Sequence, residues 1–230
     1  MMIEPHSNLL SCIEINPTRP PVGCVIWLHG LGASGDDFAP IVPELRLPDL
    51  LPLRFVFPHA PKRAVTINQG YVMRAWYDIV SMRVDHHADQ QGIDHSTQLI
   101  NELINDQEKK GISANRIVLA GFSQGALMAL SVGLSYPKRL AGVIALSGYL
   151  PNANDQLSSM SPTNRTVPIF LAHGNIDAVV PFELGESVHQ ALTNHGYSVT
   201  WHAYPMAHSV CLEEIKDIAQ WLETTAYSNR

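Results

Sequence analysis

The sequence predicts an α/β fold, a mostly parallel twisted sheet with helices on both faces, and three observations predict it. Apolar, β-rich runs alternate with longer stretches of helical periodicity. Several of those runs, such as VGCVIWLH at 22–29, are apolar throughout, as strands covered on both faces must be. The 230 residues suffice for one substantial core and demand no second, so residues 1–230 are read as a single domain.

The elements follow in order. A first strand around Leu9 to Ile15 is expected at the sheet edge, in antiparallel sense. Val22 to His29 is a buried strand, and Leu53 to Phe57 is another, closed by Pro58. Residues 58–92 show no such rhythm, and a long irregular segment inside a compact domain often serves as a lid or binding wall. From Ser96 to Lys110 the set Leu99, Ile100, Leu103 and Ile104 shares one helix face, and Gly111 ends it. Arg116 to Ala120 is a strand, followed by a helix from Gln124 to Tyr136 that stops before Pro137. Strands follow near Ala141 to Leu146, Val167 to Ala172 and Ser198 to Tyr204, with a helix from about Pro181 to Asn194. The last helix, about Leu212 to Thr225, carries a stripe of Leu212, Ile215, Ile218, Ala219 and Leu222.

Composition excludes several function classes. Charged residues are 16% of the chain and the formal charge is −6, without a dense basic run, so a nucleic-acid partner is not expected. Three cysteines, Cys12, Cys24 and Cys211, are too few and too scattered for a disulfide framework or zinc site, and suit a reducing compartment. The opening residues lack a basic head followed by an apolar stretch. The most apolar window, Ile117 to Leu134, has Gly121, Ser123, Gln124 and Gly125 at its middle, and divides better into strand, turn and helix than into a membrane span. The expectation is a soluble, cytoplasmic protein without stable membrane association.

Gly121-Phe-Ser-Gln-Gly125 fits G-x-S-x-G between an apolar strand and an apolar helix. A serine in so sharp a strand-to-helix turn adopts strained backbone angles, and its hydroxyl projects at a helix N-terminus that favours a developing oxyanion. Ser123 is therefore the candidate nucleophile. Its partners are expected later in the chain, carboxylate before histidine, at the C-terminal edges of strands. Asp177 in HGNID and His208 in YPMAH meet both conditions. Among eleven histidines, His189 and His195 fall in or after a helix and read as surface residues, whereas His202 should point to a sheet face. Asp155, in a polar loop beyond Pro151, is the competitor of Asp177. A tetrahedral intermediate needs two N–H donors. The amide of Gln124, after the nucleophile, is one candidate, and that of Leu31, in the glycine-rich loop His29-Gly30-Leu31-Gly32, is the other.

These residues resemble the phospholipase/carboxylesterase family, which includes bacterial carboxylesterases and acyl-protein thioesterases. The resemblance runs in order through WLHGLGASGDDF (27–38), FPHAP (57–61), VTINQGY (65–71), WYDI (76–79), GFSQG (121–125), HGNID (173–177) and YPMAH (204–208). It implies a single-domain α/β-hydrolase that cleaves carboxylic esters or thioesters without a cofactor or metal. It also implies catalytic Ser123, Asp177 and His208, with oxyanion donors at Leu31 and Gln124. Ala207 stands where relatives commonly carry glycine. The resemblance further implies that the segment around Trp76 contributes to the acyl pocket; among apolar neighbours, Trp76 and Tyr77 fit core packing equally well. Asp78 is within reach of pairing with Arg74. The stretch RVDHHAD at 83–89 looks faintly like metal ligands, but adjacent His86 and His87 do not easily converge on one ion, and a solvated loop is expected.

The leading expectation is a serine carboxylesterase acting on short to medium acyl chains. An acyl-protein thioesterase or lysophospholipase on longer chains is the alternative. A non-catalytic binding protein of the same fold comes last, because the Ser–Asp–His order and the glycine-rich loop are intact. The partner is a small ester or thioester, and relatives alone suggest a homodimer.

Overall fold

The computed structural model describes residues 9–80, 89–158 and 160–228. A seven-stranded sheet forms from β1 (Cys12–Ile15), β2 (Gly23–Leu28), β3 (Leu53–Pro58), β6 (Ile117–Phe122), β7 (Gly142–Leu146), β8 (Pro168–Gly174) and β9 (Ser198–Tyr204). Their spatial order is β1-β3-β2-β6-β7-β8-β9. β1 runs antiparallel to β3, as its edge position predicts, and every other pair in this sheet is parallel. Two strands, β4 (Lys62–Val65) and β5 (Tyr71–Arg74), form a separate antiparallel hairpin.

The helices are α1 (Gly35–Phe38), α2 (Ile41–Leu45), α3 (Gln90–Lys109), α4 (Gln124–Ser135), α5 (Ala153–Ser158), α6 (Phe182–Asn194) and α7 (Leu212–Trp221). Alternate residues of each strand serve two cores. Cys24, Ile26 and Leu28 of β2 pack with α3, α4 and α6 through Ile100, Leu103, Leu127, Leu130 and Leu192. Val25 and Trp27 face the opposite layer, where Ile41, Leu45, Ile218 and Trp221 cover the sheet. This two-sided burial is why the central strands read as unbroken apolar runs. Helix α4 is buried from Gln124 to Leu134, so its sequence lacks a polar stripe.

Differences from the sequence reading have local causes. Segment 58–92 is not wholly irregular: Lys62–Val65 pairs with Tyr71–Arg74, and the reversal is made by Gln69 and Gly70, both at positive φ. Helix α3 begins at Gln90 rather than Ser96, because the Asp89 carboxylate accepts the Gly92 N–H at 2.9 Å and caps it. The first strand is shorter than expected. The last helix passes at Leu222 into a π-helical turn, Leu222–Ala226. Beyond it, the Tyr227 hydroxyl reaches the carbonyls of Cys24 (3.1 Å) and Arg116 (3.0 Å), which fixes Tyr227 at the starts of β2 and β6. Among the described residues no helix is long and apolar enough to cross a membrane.

Candidate active site

Strand β6 delivers the nucleophile. Ser123 sits between β6 and α4 with φ 55° and ψ −116°, a left-handed conformation that costs a non-glycine residue of order 1–3 kcal/mol. The surroundings impose it: its N–H donates to the Leu146 carbonyl of β7 at 2.8 Å, and α4 starts at the next residue. The two motif glycines are needed by contact. A β-carbon on Gly121 would overlap the Gly125 carbonyl, and one on Gly125 would overlap the Leu28 carbonyl. Only glycine lets β6, α4 and β2 approach this closely.

Asp177 follows β8 and His208 follows β9, so both reach the same sheet edge as Ser123. His208 Nε2 lies 2.9 Å from Ser123 Oγ, and His208 Nδ1 lies 2.7 Å from Asp177 Oδ2. These partners assign the proton of the neutral ring to Nδ1, leaving Nε2 to accept from the serine hydroxyl. The second oxygen of Asp177 accepts N–H bonds from Val179 (2.8 Å) and Val180 (2.9 Å), so the buried carboxylate is held at both ends. His173 stands behind it, its Nε2 donating to the Val180 carbonyl at 2.8 Å. Burial lowers the pKa of His173, and the Val180 contact only partly opposes that. Phe122 packs its ring 4.7 Å from that of His208.

A cavity of about 390 Å³ opens beside Ser123, lined by Leu31, Phe38, Tyr77, Ile79, Tyr149 and Val179 among others. Its wall is chiefly hydrocarbon and aromatic, which suits an aliphatic chain and offers few partners to a polar one. Leu31 and Gln124 both border it, and among the described residues neither backbone N–H has a hydrogen-bond acceptor. Gln124 has a second task that sequence reasoning missed. Its side chain accepts the Trp76 N–H at 2.8 Å and donates to the Tyr77 carbonyl at 2.7 Å. The cavity wall is thereby clipped to the nucleophile turn. The only available sequence signal was a polar residue at the start of an otherwise apolar helix.

Trp76 does not reach the cavity. It is fully buried, and its indole N–H donates to the His29 carbonyl at 2.9 Å, while Tyr77 and Ile79 form the wall. Asp78 does not pair with Arg74: it accepts from the Thr66 N–H and hydroxyl, and Arg74 donates to the Ala60 carbonyl. Asp155 lies in the first turn of α5 instead of a loop, and it takes no part in the Ser123–His208–Asp177 chain. His202 stacks on Phe170 and Tyr204 against the sheet. His189 and His195 are half-buried rather than fully on the surface, His189 stacking on Trp201. His86 and His87 lie outside the described residues, whereas Asp89 is the cap of α3 and pairs with Arg63 at 3.6 Å. Ala207 is not among the positive-φ residues, so its loop does not require a glycine.

Known proteins resemble this chain in sequence and in fold. The family model described as Phospholipase/Carboxylesterase matches residues 11–226. Acyl-protein thioesterase 1 of Yarrowia lipolytica is 40% identical over 204 residues, covering 86% of this chain and 90% of that protein. The crystal structure of Zea mays acyl-protein thioesterase 2 superimposes with a TM-score of 0.83 at 28% identity, over 94% of this chain and 99% of that one. A carboxylesterase from Bacillus cereus shares the fold, with a TM-score of 0.75 at 20% identity over 95% of each chain.

Proposed function

The chain belongs to the phospholipase/carboxylesterase family of serine hydrolases, and from that premise we propose that it removes aliphatic acyl groups from thiols and alcohols through an acyl-Ser123 intermediate. One observation carries the reading: a continuous hydrogen-bonded line from Ser123 Oγ through His208 to Asp177, at the mouth of an apolar cavity. His208 takes the hydroxyl proton as Ser123 attacks the carbonyl carbon. The N–H groups of Leu31 and Gln124 receive the oxyanion, and Asp177 stabilises the imidazolium. His208 then protonates the departing thiol or alcohol, and the same base activates water to release the acid.

Relatives named as acyl-protein thioesterases support thioester cleavage on an acylated protein thiol as the first reading. The second reading is a carboxylesterase for short to medium oxyesters. A cavity of about 390 Å³ supports it, since such chains fit within the protein. The reading also takes the cytoplasm, where such substrates and free thiols occur, as the compartment.

A panel of p-nitrophenyl esters and acyl thioesters of graded length, run with wild type and Ser123→Ala, tests both. The thioesterase reading expects kcat/KM to rise with chain length and thioesters to equal or exceed oxyesters. A maximum at acetate or butyrate favours the second reading. Undiminished turnover in Ser123→Ala would refute both.

A further inference from the structure

The loop that presents Leu31 is fastened from behind by a histidine that does not touch the cavity. His29 is fully buried and sits at the end of β2. Its Nδ1 lies 2.7 Å from the Gly30 carbonyl oxygen, and its Nε2 lies 3.0 Å from the Ala60 backbone nitrogen. A backbone N–H only donates and a carbonyl only accepts. Nε2 must therefore be the acceptor and Nδ1 must carry the proton, so a single neutral tautomer satisfies both bonds. Burial lowers the pKa of His29, the Gly30 contact only partly opposing it, which keeps the ring neutral.

The Gly30 carbonyl and the Leu31 N–H belong to one planar trans peptide unit and point in opposite directions across it. A bond that holds the carbonyl toward His29 therefore sends the N–H the other way. The unit is clamped further, since Ala33 N–H donates to the same carbonyl at 3.3 Å and Gly32 N–H to the Arg74 carbonyl at 2.9 Å. The His29 carbonyl itself is held by the Trp76 indole.

We propose that His29 is a positioning residue for the oxyanion site: its Nδ1–H, bonded to the Gly30 carbonyl, sets the Gly30–Leu31 peptide so that the Leu31 N–H faces the reacting carbonyl oxygen. The inference rests on the reading of Leu31 as an oxyanion donor. A peptide free to rotate would lose that donor in the transition state while leaving the apolar cavity that binds substrate unchanged. The loss therefore falls on kcat rather than KM.

Two isosteric substitutions separate the bonds. In His29→Asn the side-chain amide retains a donor at the Nδ1 position, toward Gly30. In His29→Gln it reaches the Nε2 position, toward Ala60, and abandons Gly30. The expected result is a roughly 100-fold lower kcat in His29→Gln at nearly unchanged KM, with His29→Asn within about tenfold of wild type. Affinity for an alkyl boronic acid, which forms a tetrahedral adduct on the serine, should fall in parallel with kcat. Wild-type kcat in His29→Gln, equal losses in both variants, or a loss confined to KM would each overturn the proposal. Should either variant fail to fold, nitrogen NMR of the wild-type ring decides: a protonated Nδ1 supports the proposal and a protonated Nε2 overturns it. Ser123→Ala run alongside keeps the outcomes distinct, because retained activity there sinks the serine-hydrolase reading itself.

Discussion

Gly125 lies with its α-carbon against the carbonyl oxygen of Leu28, so closely that a β-carbon would overlap it. The contact joins the first turn of α4 to the end of β2 and places Ser123 beside the loop of Leu31. Gly125→Ala should push these elements apart, at a cost of about 1–3 kcal/mol typical of overpacking. Thermal unfolding would then shift down by several degrees, and kcat would fall as Ser123 moves. An unchanged melting temperature with full activity would show that the approach is not tight.

Asp177→Asn keeps the shape of the side chain, and its oxygen can still accept from Val179 and Val180. It removes the charge that steadies the imidazolium and lets the His208 ring take the wrong tautomer. We expect kcat to fall by about 10⁴ with little change in stability, by analogy with the same substitution in serine proteases. A decrease of less than tenfold, measured on p-nitrophenyl butyrate at neutral pH, would exclude Asp177 as the orienting group.

Glu214 is buried in the first turn of α7. Burial pushes its carboxyl from 4.5 up to about 8, with Asp217 adding to the rise and the Cys211 backbone opposing it. Between those values the folded chain holds a proton that the unfolded chain has released. Stability therefore falls as pH rises through this window, by about 1.4 kcal/mol per pH unit, and the penalty is constant above it. Glu214→Gln carries no such titration. Denaturant midpoints should show little difference from wild type near pH 4.5 and a growing advantage for the variant toward pH 8; an equal difference at both ends would contradict the raised pKa.

Tyr227→Phe leaves the ring in its place over Gly23 and deletes the hydroxyl that meets Cys24 and Arg116. The expected cost is about 1–2 kcal/mol in urea unfolding, with kcat unaffected because the contact lies at the opposite end of the strands. A change in kcat without a change in stability would contradict this purely structural role.

Legibility in the sequence followed the length and burial of each signal. The meeting of Ser123, Asp177 and His208 could be read because each follows a strand legible in the sequence, and strand ends on one edge are neighbours in space. Helices α1 and α2 span only one turn or so, too short for any periodicity to register. Hairpin β4–β5 escaped because Tyr71 and Val72, adjacent and both exposed, break the in–out alternation of a half-buried strand. The onset of α3 was hidden by Gln90, Gln91 and Gly92, none of which marks an apolar face. The tasks of Trp76 and the Gln124 side chain, and the tie of His29 to Ala60, rest on hydrogen bonds spanning 31 to 48 residues, which composition and spacing do not encode.

The tie between Gly32 and Arg74 bears on any effort to retune this enzyme. Hairpin residues 62–65 and 71–74 do not line the cavity, and the Leu31 loop hangs on the backbone carbonyl of Arg74, so the tie outlasts a side-chain change but not a shift of the strand. Insertions or deletions within 71–74 will therefore cost turnover without widening the acyl wall. Tyr149 borders the same cavity from beyond β7, away from that post, and randomising it reshapes the wall while the chemistry stays in tune.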